Sequence, residues 1–208
     1  ENAAIPAYSE MYIDIGADSR DDALSVVGIG DSICFDSEFA ETESTIRSKA
    51  IDDRFGCLVL IELIKSDLKY DTDFAFVVQE EVGLRGAAVA AYSVEPDVAL
   101  VLDATTAGDI PSAEGASRVC TLGGGVVIGC MDRGTIYDKG FFLKLRTIAE
   151  KKRLPWQIKT RIAGGTDAAM IQRSKSGVRT TAIALPTRYI HSPSGVFDIR
   201  DLEGALVL

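Results

Sequence analysis

Four short strings bring together side chains that could do chemistry. Asp52 and Asp53 stand just ahead of an apolar helical run, Glu80 and Glu81 follow FAFVV, Asp103 follows VALVL, and His191 follows TAIAL after a short loop. In open α/β sheets the ligand crevice lies at the carboxyl ends of the strands. These segments would therefore deliver several carboxylates and one imidazole to one edge. Crowded carboxylates repel and raise one another's pKa, and a divalent cation removes that cost. Asp and Glu oxygens with a His nitrogen suit Zn²⁺, Mn²⁺ or Co²⁺, and one carboxylate can bridge two ions. Neighbouring residues at a strand end point different ways, so one of Glu80 and Glu81 can ligate while the other stays available as a general base. That division of labour is hydrolytic. Plainer readings stand beside it: helix-cap charge for Asp52 and Asp53, a solvated loop start for the two glutamates, and a surface residue for His191.

Other chemistry finds less support. His191 is the one histidine, which excludes H-E-x-x-H and any site needing two histidines from these 208 residues. No G-x-S-x-G is present, and SPSG is no nucleophile elbow. LGGGVVIG lacks the helix and acidic partner of a dinucleotide site and reads as a glycine-rich strand or turn. Cys57 falls inside the apolar helix, away from any dyad with His191. None of the four cysteines, Cys34, Cys57, Cys120 and Cys130, forms C-x-x-C, and all lie in apolar runs, so buried reduced thiols are expected.

The elements that must position these residues alternate from residue 47 onward. FGCLVLIELIKSD (55–67) is apolar on most of its circumference and predicts a largely buried helix. DFAFVVQEE (73–81) predicts an internal strand, LRGAAVAAYSV (84–94) a helix, and DVALVLDAT (97–105) a second buried strand. SRVCTLGGGVVIG (117–129) reads as a strand interrupted by glycines, and YDKGFFLKLRTIAEKKRL (137–154) as an amphipathic helix with Lys and Arg at its C-terminal end. PWQIKTRI (155–162) reads as a strand. GGTDAAMIQRSKSG (164–177) reads as a helix with Thr166 as N-cap. VRTTAIALPTRYIHS (178–192) predicts a strand running into a loop, and DIRDLEGALVL (198–208) a last helix. The succession implies an α/β sandwich with a mainly parallel sheet. Residues 1–43 differ: MYIDIGA (11–17) and DSICFDSEFA (31–40) read as strands and SRDDALSVVG (19–28) as a short helix, with a boundary at ETESTIRS.

The length fits one domain, or one with an appendage, and 47% hydrophobic and 25% charged residues are those of an ordinary globule. A net charge of −9 argues against nucleic acid or an anionic membrane as the main partner. No apolar run reaches the ~18–20 residues of a membrane span, and no signal peptide is visible, so a cytoplasmic location is expected.

KAIDDRFG (49–56), VVQEEVGLRGA (77–87), LDATTAGDIP (102–111), GGTDA (164–168) and RYIHSP (188–193) resemble, in order and spacing, the tetrahedral-aminopeptidase or glutamyl-aminopeptidase family of dinuclear metallopeptidases. Members are often labelled endoglucanase-like. Residues 12–39 are similar to the end of that family's inserted β-barrel domain, so the resemblance covers nearly the whole chain. It implies a three-layer α/β catalytic domain over 44–208 with a mixed, mainly parallel sheet, and a barrel remnant over 1–43. Two divalent ions are implied, Zn or Co ahead of Mn. Asp52 would bridge them, Glu81 and His191 would complete the first, and Asp103 would bind the second. Glu80 would be the base for a metal-bridging water, and Asp53, Arg54, Gly164, Gly165, Thr166, Asp167 and Arg188 would be supports or pocket lining. Peptide substrates and homo-oligomers, dimers assembling into a hollow shell, are implied as partners.

The family's second ion also takes a histidine from a segment ahead of the barrel, and these residues include no second histidine. The 208 residues are therefore expected to be a fragment or to have had residues dropped, ahead of a protein that has lost one metal site, with Asp103 half-supplied and full activity of the piece not expected. The alternatives to an aminopeptidase are a glycoside hydrolase, which needs two flanking carboxylates and usually no metal, a metal-poor inactive scaffold, and a deacylase acting on N-acyl amino acids.

Overall fold

The computed structural model describes residues 6–208, which divide into two compact units, the first ending at Phe35 and the second spanning 36–208. Among the described residues the first unit holds one α-helix, α1 (Arg20–Val26), started by Ser19, whose hydroxyl accepts the Asp22 N–H at 3.1 Å. The expected strand over 11–17 does not form, and of the one expected over 31–40 only Ala40 enters a ladder; an alternating pattern makes a strand only where a partner strand lies beside it.

In the second unit, β1 (Ala40–Glu41) and β2 (Thr45–Ser48) form a short antiparallel sheet with β7 (Gly195–Asp198), in the order β1-β2-β7. The larger sheet has the order β3-β6-β4-β5, built from β3 (Val98–Thr106), β4 (Val126–Ile128), β5 (Trp156–Gln157) and β6 (Arg179–Thr187). β3 runs parallel to β6 and β4 parallel to β5, while β4 is antiparallel to β6, which gives the mixed, mainly parallel sheet. Around it lie α2 (Ile51–Ile64), α3 (Arg85–Val94), α4 (Lys139–Lys152), α5 (Ala168–Ile171) and α6 (Ile199–Val207). None of these helices is long and apolar enough to cross a membrane.

The central strand β6 is covered on both faces, as its uninterrupted apolar string requires. Ile183 and Leu185 join Phe55, Val59, Ile128, Leu145 and Ala205 in the main core. Ala182 and Ala184 face the other way, toward Val101, Tyr137 and Ala168 on one side and Cys120 and Val127 on the other. Removing Leu185, wholly buried, down to Ala would cost about 2–5 kcal/mol. Asp138 caps α4 by accepting the Phe141 N–H at 2.8 Å, and Lys151 and Lys152 sit at its end, where cations suit the helix dipole. The glycine-rich stretch forms strand only at β4. Ahead of it, wholly buried Asp201 accepts the N–H groups of Gly123 and Gly125, both at 2.8 Å.

Several expectations need correction. The 73–81 segment is extended but has no ladder partner among the described residues, with Phe76 and Val78 exposed. α2 buries one stripe (Ile51, Phe55, Val59) and leaves Leu58, Ile61 and Ile64 exposed, because among the described residues only the side toward the sheet carries a second layer. Strand over 155–162 shrinks to Trp156–Gln157, and helix over 164–177 to Ala168–Ile171. Of the cysteines only Cys120 is buried; Cys57 lies on the open side of α2, and Cys34 and Cys130 are also exposed. An apolar run predicts burial only when both of its sides are covered.

Candidate metal centre

Three segments of the second unit converge at the start of α2. Asp52 and Asp53 occupy its first positions in non-helical conformations, joined by a cis peptide bond. Gly56 lets this end of the helix sit against β3: a Cβ there would stand 2.9 Å from the Leu102 carbonyl oxygen, next to Asp103. The Gly56 N–H donates to Asp53 Oδ1 at 2.8 Å, turning that carboxylate inward.

Glu80 and Glu81 sit in a turn folded back on the start of α3. Gly83 and Leu84 N–H groups donate to the Glu80 carbonyl at 3.0 and 2.9 Å, and Gly86 N–H donates to the Val78 carbonyl at 3.0 Å. Gly86 is obligatory for this closure, since a Cβ would press on the Val78 carbonyl oxygen and lie 2.7 Å from its nitrogen. The third segment is the turn between β6 and β7, whose His191 takes φ +58 and is 65% exposed along its side chain.

His191 Nε2 lies 3.0 Å from Asp52 Oδ2 and 3.4 Å from Glu81 Oε2. One ligand atom from each of Asp52, Glu81 and His191 falls within 4.8 Å of the others, a set that could hold a metal ion. The donors are two carboxylate oxygens and one imidazole nitrogen, which fit a divalent cation of the zinc or cobalt type. The electrostatics fit as well. Burial pushes Glu80 up to about 7, helped by Glu81, Asp167 and Asp52 and opposed by His191. Burial likewise raises Asp53 to about 7 against the Gly56 N–H, with Asp52, Glu80 and Asp167 adding to the rise. Glu81 is raised by burial and by Asp52. Asp103, nearly enclosed within β3, is raised well above its ordinary value by burial and then by Asp53, Asp52 and Glu80. A group of carboxylates that resist ionising together is what a cation would relieve.

Of the residues singled out from the sequence, the structure brings Asp52, Glu81 and His191 into ligand distance, with Glu80, Asp53 and Asp103 close enough to feel their charge. Asp103 lies outside the three-residue set, and its Oδ1 accepts its neighbour's Ala104 N–H at 2.7 Å. Asp167, at the N-cap position of α5, is buried with Oδ1 lacking a hydrogen-bond partner, and burial raises its pKa. Thr166 stands one position earlier than its expected cap site fits, yet its hydroxyl accepts the Ala168 N–H at 3.3 Å and meets the Tyr137 hydroxyl at 3.1 Å. Gly164 and Gly165 form the exposed turn before it, with the Gly164 carbonyl accepting the Arg133 N–H at 2.9 Å. Arg54 is exposed on the first turn of α2. Arg188 makes a two-point ion pair with Asp109. Asp109, which pairs with Arg188, and Gly86, on the first turn of α3 against Val78, were not singled out, because each matters through a contact with a distant segment that leaves no periodic signal.

Known proteins similar to this chain identify its family. The profile of the family described as M42 glutamyl aminopeptidase matches residues 1–208. An aminopeptidase from the archaeon Desulfurococcus kamchatkensis is 40% identical and superimposes with a TM-score of 0.90, over 99% of this chain and 59% of that one. The TET1 peptidase of Pyrococcus horikoshii, described as able to assemble into a tetrahedron or a large octahedral shell, is 35% identical with a TM-score of 0.77, over 99% of this chain and 61% of that one. The lysyl aminopeptidase of Pyrococcus furiosus is 32% identical over 209 residues, 97% of this chain and 58% of the relative. The chain thus spans about three fifths of the length of these proteins. Because the family profile runs through every string that builds the cluster, the chain belongs to the M42 glutamyl aminopeptidase family.

Proposed function

We propose that the polypeptide to which these residues belong is a metal-dependent aminopeptidase that removes N-terminal residues from peptides. The observation that carries this reading is the meeting of Asp52, Glu81 and His191 ligand atoms beside the half-buried Glu80. Asp52, Glu81 and His191 would hold one divalent ion, and Asp103 would share a second with Asp52; Zn or Co suits these donors, then Mn. Bound there, such ions acidify water and polarise the scissile carbonyl.

The chain's own residues supply the proton path. Glu80 sits next to a ligand without being part of the three-residue set, which leaves its carboxylate free to exchange a proton. It takes the proton of the attacking water and returns it to the leaving amine. Asp53 backs the site, held by the Gly56 N–H. Asp167, Thr166 and the preceding glycines, with Arg54 and Arg188, line or support the peptide pocket.

Homo-oligomers of dimers built into a shell, a cytoplasmic location and a barrel portion over 1–43 belong to the same proposal, supported by the family and by assemblies such as that of the Pyrococcus horikoshii peptidase. Chelator treatment tests it: hydrolysis of aminoacyl-anilides should vanish with the metal and return with Co²⁺ or Zn²⁺. A glycoside hydrolase would survive chelation, and activity on a β-glucan unaffected by chelator would overturn the proposal.

A further inference from the structure

The geometry points to Asp109 as a positioning residue for His191, acting through Arg188 to aim the turn that carries the imidazole. This rests on reading Asp52, Glu81 and His191 as metal ligands.

The turn between β6 and β7 needs an outside hold. Tyr189 and His191 both take φ +58, a conformation that side chains other than glycine keep only when their surroundings impose it. At the exposed tip, the Ser192 hydroxyl donates to the carbonyls of Tyr189 and Ser194, and the Ser37 hydroxyl donates to the Pro193 carbonyl. The root is fixed more firmly. Arg188 N–H donates to the Val196 carbonyl at 2.9 Å, and Val196 N–H returns to the Arg188 carbonyl at 3.1 Å. The Arg188 guanidinium then forks onto Asp109, with Nε to Oδ1 at 2.6 Å and Nη2 to Oδ2 at 2.8 Å.

Asp109 is the buried end of this hook. Its side chain is 3% exposed, and Oδ2 also accepts the Leu122 N–H at 3.0 Å. One carboxylate therefore joins the connection after β3, the start of the glycine-rich stretch and the root of the histidine turn. A two-point fork fixes direction as well as distance, which a single ammonium does not. Without it, the turn loses the contact that aims it, and bringing the imidazole back to Asp52 and Glu81 costs metal affinity.

The test is Co²⁺ titration by calorimetry of the metal-stripped, full-length polypeptide, with Tm and circular dichroism measured on every variant. Arg188→Met and Asp109→Asn are expected to weaken Co²⁺ binding about tenfold. Arg188→Lys, which keeps the charge and loses the fork, is expected to fall between them and the parent. Arg179→Met breaks a comparable pair with Asp138 at the opposite end of β6 and should bind within twofold of the parent. Should the buried Asp109→Asn variant fail to fold, the two Arg188 variants decide, since that side chain is 37% exposed. Parent-like affinity in folded Arg188→Met overturns the inference, and so does equal weakening in Arg179→Met, which would mark a general loss of stability. No Co²⁺ binding by the parent overturns the metal reading itself, a distinct result.

Discussion

His191 Nε2 stands 3.0 Å from Asp52 Oδ2, although one residue lies on the turn after β6 and the other at the start of α2. The contact is nonlocal, and Glu81 closes it from a third segment at 3.4 Å. What these residues have in common is charge and donor type, so the expected behaviour of variants follows from removing one donor at a time.

Asp52→Asn and His191→Ala each remove one donor from a three-residue set. Both are expected to weaken Zn²⁺ or Co²⁺ binding by about a hundredfold or more, on the scale of a lost charge-assisted contact of about 3 kcal/mol. Asp52→Asn should also raise the Tm of the metal-stripped protein, because it relieves repulsion with Glu81 and Glu80. Calorimetric titration and thermal melts with and without chelator check both effects.

Glu80→Gln keeps the shape and removes the exchangeable proton. Turnover of an aminoacyl-anilide should fall by about 10²–10⁴, the range for a lost general base, while metal content stays at the parent level. Metal analysis beside kcat separates this from a ligand loss. A variant that hydrolyses at the parent rate would contradict the role given to Glu80.

Gly86→Ala forces a Cβ against the Val78 backbone at the foot of the turn bearing Glu80 and Glu81. Backbone on both sides cannot yield cheaply, so a loss of about 1–3 kcal/mol of stability is expected. Activity should fall further than stability does, since the glutamates move with the turn. Denaturant midpoints and kcat/KM measured on the same preparation give the comparison.

The acid side of the stability profile should depend on Arg188. Burial resists ionisation of Asp109, but the Arg188 hydrogen bonds, the Leu122 N–H and the Arg188 charge outweigh it and hold the carboxyl below its ordinary 3.8. A carboxylate depressed in the folded state contributes stability that is present above the unfolded pKa and lost as pH falls through the folded one. The Tm difference between parent and Arg188→Met should therefore be fully developed at about pH 6 and shrink toward pH 3. A difference that grows on acidification would contradict the pairing.

Much of this was legible because the chemistry sits in short strings at element boundaries. Strand β3 and the long strand β6 are apolar runs that announce themselves, and the acidic pairs and His191 fall next to such runs. The same strings carried the resemblance to glutamyl aminopeptidases. Partnership between distant elements was not legible. DFAFVV has a strand's composition, but a strand also needs a ladder beside it, and none runs there among the described residues. α2 is apolar on most of its circumference, yet packing covers one side. Asp109 and Gly86 matter through contacts with Arg188 and Val78, relationships of space that no local pattern encodes.

The most direct measurement is anomalous diffraction from crystals of the full-length polypeptide loaded with Zn²⁺. A peak at bonding distance from one oxygen each of Asp52 and Glu81 and from His191 Nε2 is the predicted result. Zinc bound elsewhere, with those three side chains turned apart toward solvent, would contradict it.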